Sequence, residues 1–334
     1  MKCKYSVGSL FAGIGGICLG FKNAGCRIAW ANEIDHAACE TYRHNIDLFG
    51  GDKSIVYECD IVDFEPPSVK IDIMTGGFPC QPYSLAGSMK GFDDKRGAPM
   101  FNEIINKSNI CKPRVLFLEN VSFLKNINKG SVFNSICMSL KEKAEYNKVF
   151  TFTMNSQDYG GIAQNRDRLY FVAIRRKDDT REFEKLARGL KKPVEITKHV
   201  KDIVDIEDTK PQKYYYSSEN AKHFNDHFFP AVKEKGVVYQ YRRTYMRENK
   251  NNLCPTLTAS MGTGGHNVPI ILDNNGIRKL TPEECLAFQG FPRFYEFPKG
   301  GNCAKYKQIG NSVTVPVVEH LAGSIVYALD QNED

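Results

Sequence analysis

Cys80 lies in the run Gly77-Phe78-Pro79-Cys80-Gln81-Pro82, and its surroundings rather than its type single it out. A lone cysteine is ordinarily a small buried hydrophobe. Here the thiol follows an apolar run, sits among residues that fix the backbone, and precedes a polar loop with Ser84, Gly87 and Gly91. That setting can leave the sulfur exposed for nucleophilic attack. Glu119, at the end of the next apolar run, is a candidate proton carrier beside it. The stretch Phe11-Ala12-Gly13-Ile14-Gly15-Gly16 is a glycine loop that lets backbone approach a ligand. Glu33, about twenty residues on, suits ribose hydroxyls. Cys18 stands where a dinucleotide fingerprint has its third glycine, so an adenosyl ligand without a pyrophosphate fits better. Asp60 would then accept from the adenine amine, since a carboxylate only accepts; otherwise it is a cap or loop residue.

These residues need a scaffold that collects them. Short apolar runs at Val7–Leu10, Arg27–Ala31, Ile55–Glu58, Ile71–Met74, Val115–Leu118 and Leu169–Ile174 read as buried strands. Between them, Asp35–His44 and Ser131–Glu145 have helical spacing. The alternation argues for a doubly wound, mostly parallel α/β sheet, whose ligands bind at the carboxyl ends of the strands. The glycine loop, Glu33, Asp60, Cys80 and Glu119 all follow predicted strands, which places cofactor and reaction centre on one rim. After Arg176 the chain turns rich in Lys, Asp, Asn and Tyr with little periodicity, and reads as a smaller irregular domain. Order returns near Arg278: Thr281-Pro282-Glu283-Glu284 has capping-box spacing, and Val318, Leu321, Ala322, Ile325 and Leu329 share a helical face. The expected division is 1–176 with 304–334, and 177–303.

Bulk properties set limits. The chain has 334 residues, 42% hydrophobic and 25% charged, which suits a globular enzyme. A net charge of +6 permits a polyanionic partner without arguing for one. Eleven cysteines without a CxxC pair read as reduced thiols in a cytoplasmic protein. His223 and His227 have metal-like spacing but no nearby cysteine or third ligand, so no metal site is expected. Lys2 and Lys4 precede an apolar run that superficially resembles a signal peptide. Its five glycines and lack of a cleavage pattern favour a strand and loop, and no stretch is read as a membrane span.

The ordered motifs resemble the DNA (cytosine-5)-methyltransferase family, in particular bacterial restriction–modification members. The likeness rests on Phe11 to Gly16, Glu33, Asp60, Phe78-Pro79-Cys80-Gln81, Glu119-Asn120-Val121 and Gln164-Asn165-Arg166-Asp167-Arg168. It continues through Gln289-Gly290-Phe291-Pro292 and Gln308-Ile309-Gly310-Asn311-Ser312-Val313, over nearly the whole chain. It implies a Rossmann-like S-adenosylmethionine-dependent fold, with S-adenosylhomocysteine as product. Phe11, Gly13, Gly15, Gly16, Glu33, Ile34, Asp60, Pro79 and Asn311 would form the cofactor pocket. Ser9 and Ile34 depart from residues common in the family. By the same resemblance the Cys80 thiolate adds to carbon-6 of cytosine while Glu119 bonds ring nitrogen 3 and the exocyclic amine. Arg168 and Arg166 contact the carbonyl of the base. The base must leave the stack to be reached, and the loop from Gln81 to about Pro99, including Ser84 and Arg96, resembles the family's mobile loop.

Between 233 and 250, six basic residues and two acidic ones interleave with Tyr239, Tyr241 and Tyr245. A charge run is usually a solvated face; beside such a reaction centre it suits contact with phosphates and bases of double-stranded DNA. Candidate contacts are Arg242, Arg243, Arg247, Lys250, Thr258, Gly262, Gly264 and Gly265. The stretch from Arg247 to Asn267 is similar to recognition segments for short palindromes beginning with two cytosines, such as CCGG or CCNGG. The resemblance also suggests a monomer and a cognate restriction endonuclease acting on the same site without a stable complex. A tRNA cytosine methyltransferase on the same fold is the nearest rival. A catalytically silent DNA-binding protein and a nicotinamide oxidoreductase are more distant ones.

Overall fold

The computed structural model describes residues 3–79, 97–217, 229–242, 245–249, 251–263 and 269–332. Its strands are β1 (Ser6–Leu10), β2 (Arg27–Glu33), β3 (Val56–Glu58), β4 (Ile73–Gly77), β5 (Val115–Val121), β6 (Lys148–Asn155), β7 (Gln164–Asn165) and β8 (Asp167–Ile174). They continue as β9 (Val238–Arg242), β10 (Tyr245–Glu248), β11 (Cys254–Pro255), β12 (Pro269–Asp273) and β13 (Gly276–Lys279). Helices are α1 (Gly16–Asn23), α2 (His36–His44), α3 (Gly97–Cys111), α4 (Ser131–Glu142), α5 (Ser156–Gly160) and α6 (Lys177–Ala187). Four more follow: α7 (Val200–Ile203), α8 (Pro282–Phe288), α9 (Asn302–Asn311) and α10 (Val315–Asp330).

The chain divides into two compact units. The first comprises Met1–Met154, Asp167–Lys192 and Val317–Asp334; the second, Asn155–Arg166 and Pro193–Pro316. The first holds a seven-stranded sheet in the order β3-β2-β1-β4-β5-β8-β6. Pairings from β3 through β5 are parallel, and β8 runs antiparallel to β5. The doubly wound, mostly parallel fold is therefore as expected, with strand order reversing between β1 and β4. At such a switch point, neighbouring loops diverge and leave a crevice for ligands. Every residue of β1 is buried, and β5 is buried through Asn120, because helices cover both faces. Asp35 starts α2 by accepting from the Ala38 N–H at 3.2 Å, which fixes the chain just after Glu33.

The predicted face of α10, from Val318 to Leu329, is buried throughout. Within Asn302–Asp330 an 18-residue window reaches a mean hydropathy of 1.4, enough in length and composition to cross a membrane, but 61% of it is buried inside the protein, as for a core helix. The region is divided by Ser312–Thr314 into α9 and α10.

The second unit is more regular than its sequence suggests. A four-stranded sheet runs β10-β9-β12-β13, antiparallel throughout. Val232, Tyr239 and Ile270 form its small core, with Tyr241, Met246 and Leu272 against it. The strands escape a periodicity scan because they are short and β9 fills its inward positions with Tyr239 and Tyr241. Residues 304–316, expected with the first unit, belong to the second. Tyr306 donates to the Leu280 carbonyl at 2.5 Å, and Gln289 Nε2 to the Ile309 carbonyl at 3.0 Å.

Candidate active site and recognition cleft

At the carboxyl end of β1 the chain enters left-handed backbone, with φ of 51° at Phe11, 55° at Gly13 and 82° at Gly15. For Phe11 this is strain, of the kind that clusters at ligand sites. Gly15 has a further reason to lack a side chain: a Cβ there would lie 2.6 Å from the Phe49 ring. The turn brings the Gly13 N–H onto Glu33 Oε2 at 2.8 Å. Glu33 Oε1 accepts from the N–H groups of Ile34 and Asp35 at 2.9 and 2.8 Å. Three backbone donors thus orient this carboxylate at the end of β2. Beside it Ile34 is 60% exposed, an apolar side chain held in solvent. Asp60 Oδ1 caps its own turn by accepting from Val62 N–H at 3.0 Å. An oriented carboxylate, an exposed apolar side chain, a second carboxylate and a glycine loop with open space at Gly13 fit an adenosyl group.

At the next two strand ends, β4 delivers Gly77, buried Phe78 and exposed Pro79. Asn120 Nδ2 donates to the Phe78 carbonyl at 3.1 Å, while Asn120 Oδ1 accepts from Val121 N–H at 2.8 Å. Asn120, which the sequence offered only as part of a motif, therefore holds the segment leading into Cys80. Glu119 is 8% exposed. Its Oε1 lies 2.9 Å from Arg168 Nε. In the β5–β8 ladder Arg168 faces Val121, making it the diagonal neighbour of Glu119 on the same sheet face. A Cβ on Gly77 would stand 3.4 Å from Glu119 Oε2, so the missing side chain keeps that carboxylate edge clear.

Cys80, Gln81, Ser84, Arg96, Arg243, Lys250, Gly264 and Gly265 lie outside the described residues, as do His223 and His227. Most described cysteines are packed as hydrophobes. Burial pushes the Cys26 and Cys39 thiols up to about 12 and that of Cys111 up to about 11, away from the thiolate a nucleophile needs.

Arg166 and Arg168, two residues apart in sequence, have different partners. Arg166 is 1% exposed and belongs to the second unit. It donates to the carbonyls of Leu257 at 2.6 Å, Gly310 at 3.0 Å and Ser312. Expected beside a base, it is instead engaged by main-chain carbonyls. Asn311, expected in the cofactor pocket, is an exposed residue at the end of α9 in the second unit.

The second unit contains an open polar cleft of about 740 Å³. Gln240 and Arg242 of β9 and Arg247 and Glu248 of β10 line it, with Asn165, Thr256 and Thr258 among the other residues of its lining. Arg247 pairs directly with Gln240 in the ladder, and Arg242 is two residues further along the same strand face. Gln240, Asn165 and Thr256 are not apparent as contacts from the sequence: strand register puts Gln240 beside Arg247, and the β7–β11 segment brings Asn165 and Thr256 into the same lining. Gly262 has a packing reason to be glycine, because its Cβ would sit 2.8 Å from the Tyr306 ring.

The model of the C-5 cytosine-specific DNA methylase family matches residues 5–327. The Type II methyltransferase M.Bsp6I of Bacillus sp. (strain RFL6) is 38% identical over 327 residues, covering 96% of this chain and 98% of the relative. The Type II methyltransferase M.HpaII of Haemophilus parainfluenzae is 32% identical, covering 98% and 91%. In fold, the chain is similar to the S. pombe Dnmt2 methyltransferase. That likeness has a TM-score of 0.70 at 17% identity, with 98% and 100% of the two chains covered. With a family match over almost its whole length and full-length Type II relatives, the chain belongs to the C-5 cytosine-specific DNA methylase family and is a DNA (cytosine-5-)-methyltransferase.

Proposed function

We propose that this enzyme methylates carbon-5 of a cytosine flipped out of a short specific site in double-stranded DNA, with Cys80 as the nucleophile. The observation that best supports this reading is the Glu119–Arg168 pair beside the strand end that leads into Cys80. When bound, S-adenosylmethionine would supply an electrophilic methyl group on a sulfonium. Phe11, Gly13, Gly15, Gly16, Glu33, Ile34, Asp60 and Pro79, all in the first unit, are the residues proposed to hold it. Carbon-5 of cytosine is a poor nucleophile until carbon-6 takes an electron pair. The Cys80 thiolate would form that carbon–sulfur bond, pushing ring electrons toward nitrogen 3. Glu119 would donate a proton or hydrogen bond at nitrogen 3 and accept from the exocyclic amine. Arg168 holds Glu119 in place and would offer its remaining donors to the base carbonyl. After methylation, loss of the carbon-5 proton and expulsion of the thiolate restore the ring.

The first unit is proposed to carry catalysis and the second, with Asn165 and Arg166, target recognition. The polar cleft is the recognition surface in this reading, with Arg242, Arg247 and Thr258 as contacts and Gln240 added. Arginine pairs with guanine and glutamine with adenine at the major-groove edge, where each base pair is distinguishable. A palindrome beginning with two cytosines is the proposed site. The enzyme is proposed to act as a cytoplasmic monomer, with a cognate endonuclease cutting the same site.

Base-conversion sequencing of DNA from cells expressing the enzyme tests both activity and site. One short motif carrying 5-methylcytosine is expected; methyl transfer to tRNA but not to duplex DNA would overturn the reading. Arg247→Ala is expected to weaken binding of a duplex carrying that motif about 5- to 150-fold, measured by fluorescence anisotropy, if Arg247 reads a base.

A further inference from the structure

We propose that Arg166 is a positioning residue that fixes the Thr256–Thr258 lining segment of the cleft, and thereby governs which DNA sequence is accepted rather than the methyl-transfer step. The inference rests on the reading of the cleft as the DNA-recognition surface. An arginine presents a planar fork of donors, which suits binding several fixed acceptors at once. Arg166 uses it on the Leu257 carbonyl at 2.6 Å and on the carbonyls of Gly310 and Ser312. Leu257 lies between the two threonines, both of which line the cleft. Its side chain is fully buried, so the segment alternates between an anchored residue and two that line the cleft.

The anchor itself has little slack. A Cβ on Gly310 would lie 2.2 Å from the Thr258 carbonyl carbon and the Ala259 nitrogen, so the two backbones meet with no side chain between them. The segment is also tied through Thr256 Oγ1, which donates to the Asn165 carbonyl at 2.8 Å, and through the β7–β11 ladder. Arg166 is 1% exposed. A guanidinium so buried and bonded to carbonyls acts on a DNA edge through the segment it holds. Discrimination between bases depends on donors and acceptors held within fractions of an ångström. Lysine retains the charge but places it at a point, and cannot hold three separated carbonyls as the fork does.

The test uses the full-length enzyme and its Arg166→Lys variant on plasmid DNA, read by base-conversion sequencing. The ratio of methylation at the preferred site to sites differing by one base is expected to fall about tenfold, within the range of one mismatched base pair. KM for DNA should rise by more than kcat falls. Loss of kcat at every site with the ratio intact would place Arg166 in the chemistry and overturn the inference, as would an unchanged ratio. If Arg166→Lys does not fold, Thr256→Val frees the same segment from Asn165 while keeping the buried guanidinium. It should shift the ratio in the same direction by a few-fold, and wild-type preference would overturn the inference. Arg247→Ala separates the two levels. If it alters neither DNA affinity nor site preference, the cleft reading fails; if it does while Arg166→Lys keeps wild-type preference, only the positioning role fails.

Discussion

Glu119→Gln is expected to lower kcat about 10²- to 10³-fold while DNA affinity stays within about threefold. Glutamine has nearly the shape of glutamate and can still bond the Watson–Crick edge of cytosine, so binding should survive. It cannot deliver a proton to ring nitrogen 3, nor can it carry the negative charge that steadies a protonated ring. Glu119 is 8% exposed, and a charge interaction in such a site is far less screened than one in water. The substitution also leaves Arg168, whose Nε lies 2.9 Å from Glu119, beside a neutral amide. Single-turnover methyl transfer with saturating DNA separates this loss from any change in binding. Turnover within threefold of wild type would remove Glu119 from the reaction.

Arg278→Met should destabilise the second unit by about 3–5 kcal/mol, the usual result of stripping one partner from a buried ionic network. Arg278 and Asp273 are both buried, with Arg278 Nε 2.5 Å from Asp273 Oδ2. The other two guanidinium nitrogens each reach a Glu284 oxygen at 2.8 Å. Burial alone would lower the pKa of Arg278, but Glu284 and Asp273 more than offset it and hold it above its ordinary value. Tyr215 also donates to Asp273, and the Thr281 N–H to Glu284 Oε2. Methionine removes the charge and leaves the buried Asp273 and Glu284 carboxylates without their shared cation. Thermal unfolding should shift downward by roughly 10 °C, at a few degrees per kcal/mol for a unit of this size. A shift below about 2 °C would mean that the network contributes little.

Glu284 shows where sequence reading stops. Its capping role was legible, because Thr281-Pro282-Glu283-Glu284 has the right spacing and the structure contains both reciprocal bonds. Its bond to Arg278 was not, since that depends on the β12–β13 hairpin bringing Asp273 and Arg278 together. The same contrast runs through the first unit. Apolar runs mark β1, β2, β4 and β5 because both faces are covered, and their order places loop residues along one rim. Strand β6 was missed because much of Lys148–Asn155 is only half buried and carries no clean pattern. The reversed direction of β8 was also hidden, because a strand's own residues do not state which way its neighbour runs. Glu119 and Arg168 were readable as motif members. Their ion pair, the Asn120 bond to Phe78 and the separate partners of Arg166 required the register.

A covalent bond between Cys80 and cytosine carbon-6 can be trapped with a duplex carrying 5-fluorocytosine at the target position. Fluorine cannot leave as a proton does, so the final elimination is blocked and the bond to sulfur persists. A denaturation-resistant adduct is expected that forms only with S-adenosylmethionine present, maps to Cys80 by mass spectrometry, and is absent from Cys80→Ala. An adduct formed by Cys80→Ala, or no adduct from an enzyme that methylates the unmodified duplex, would contradict covalent attack by Cys80.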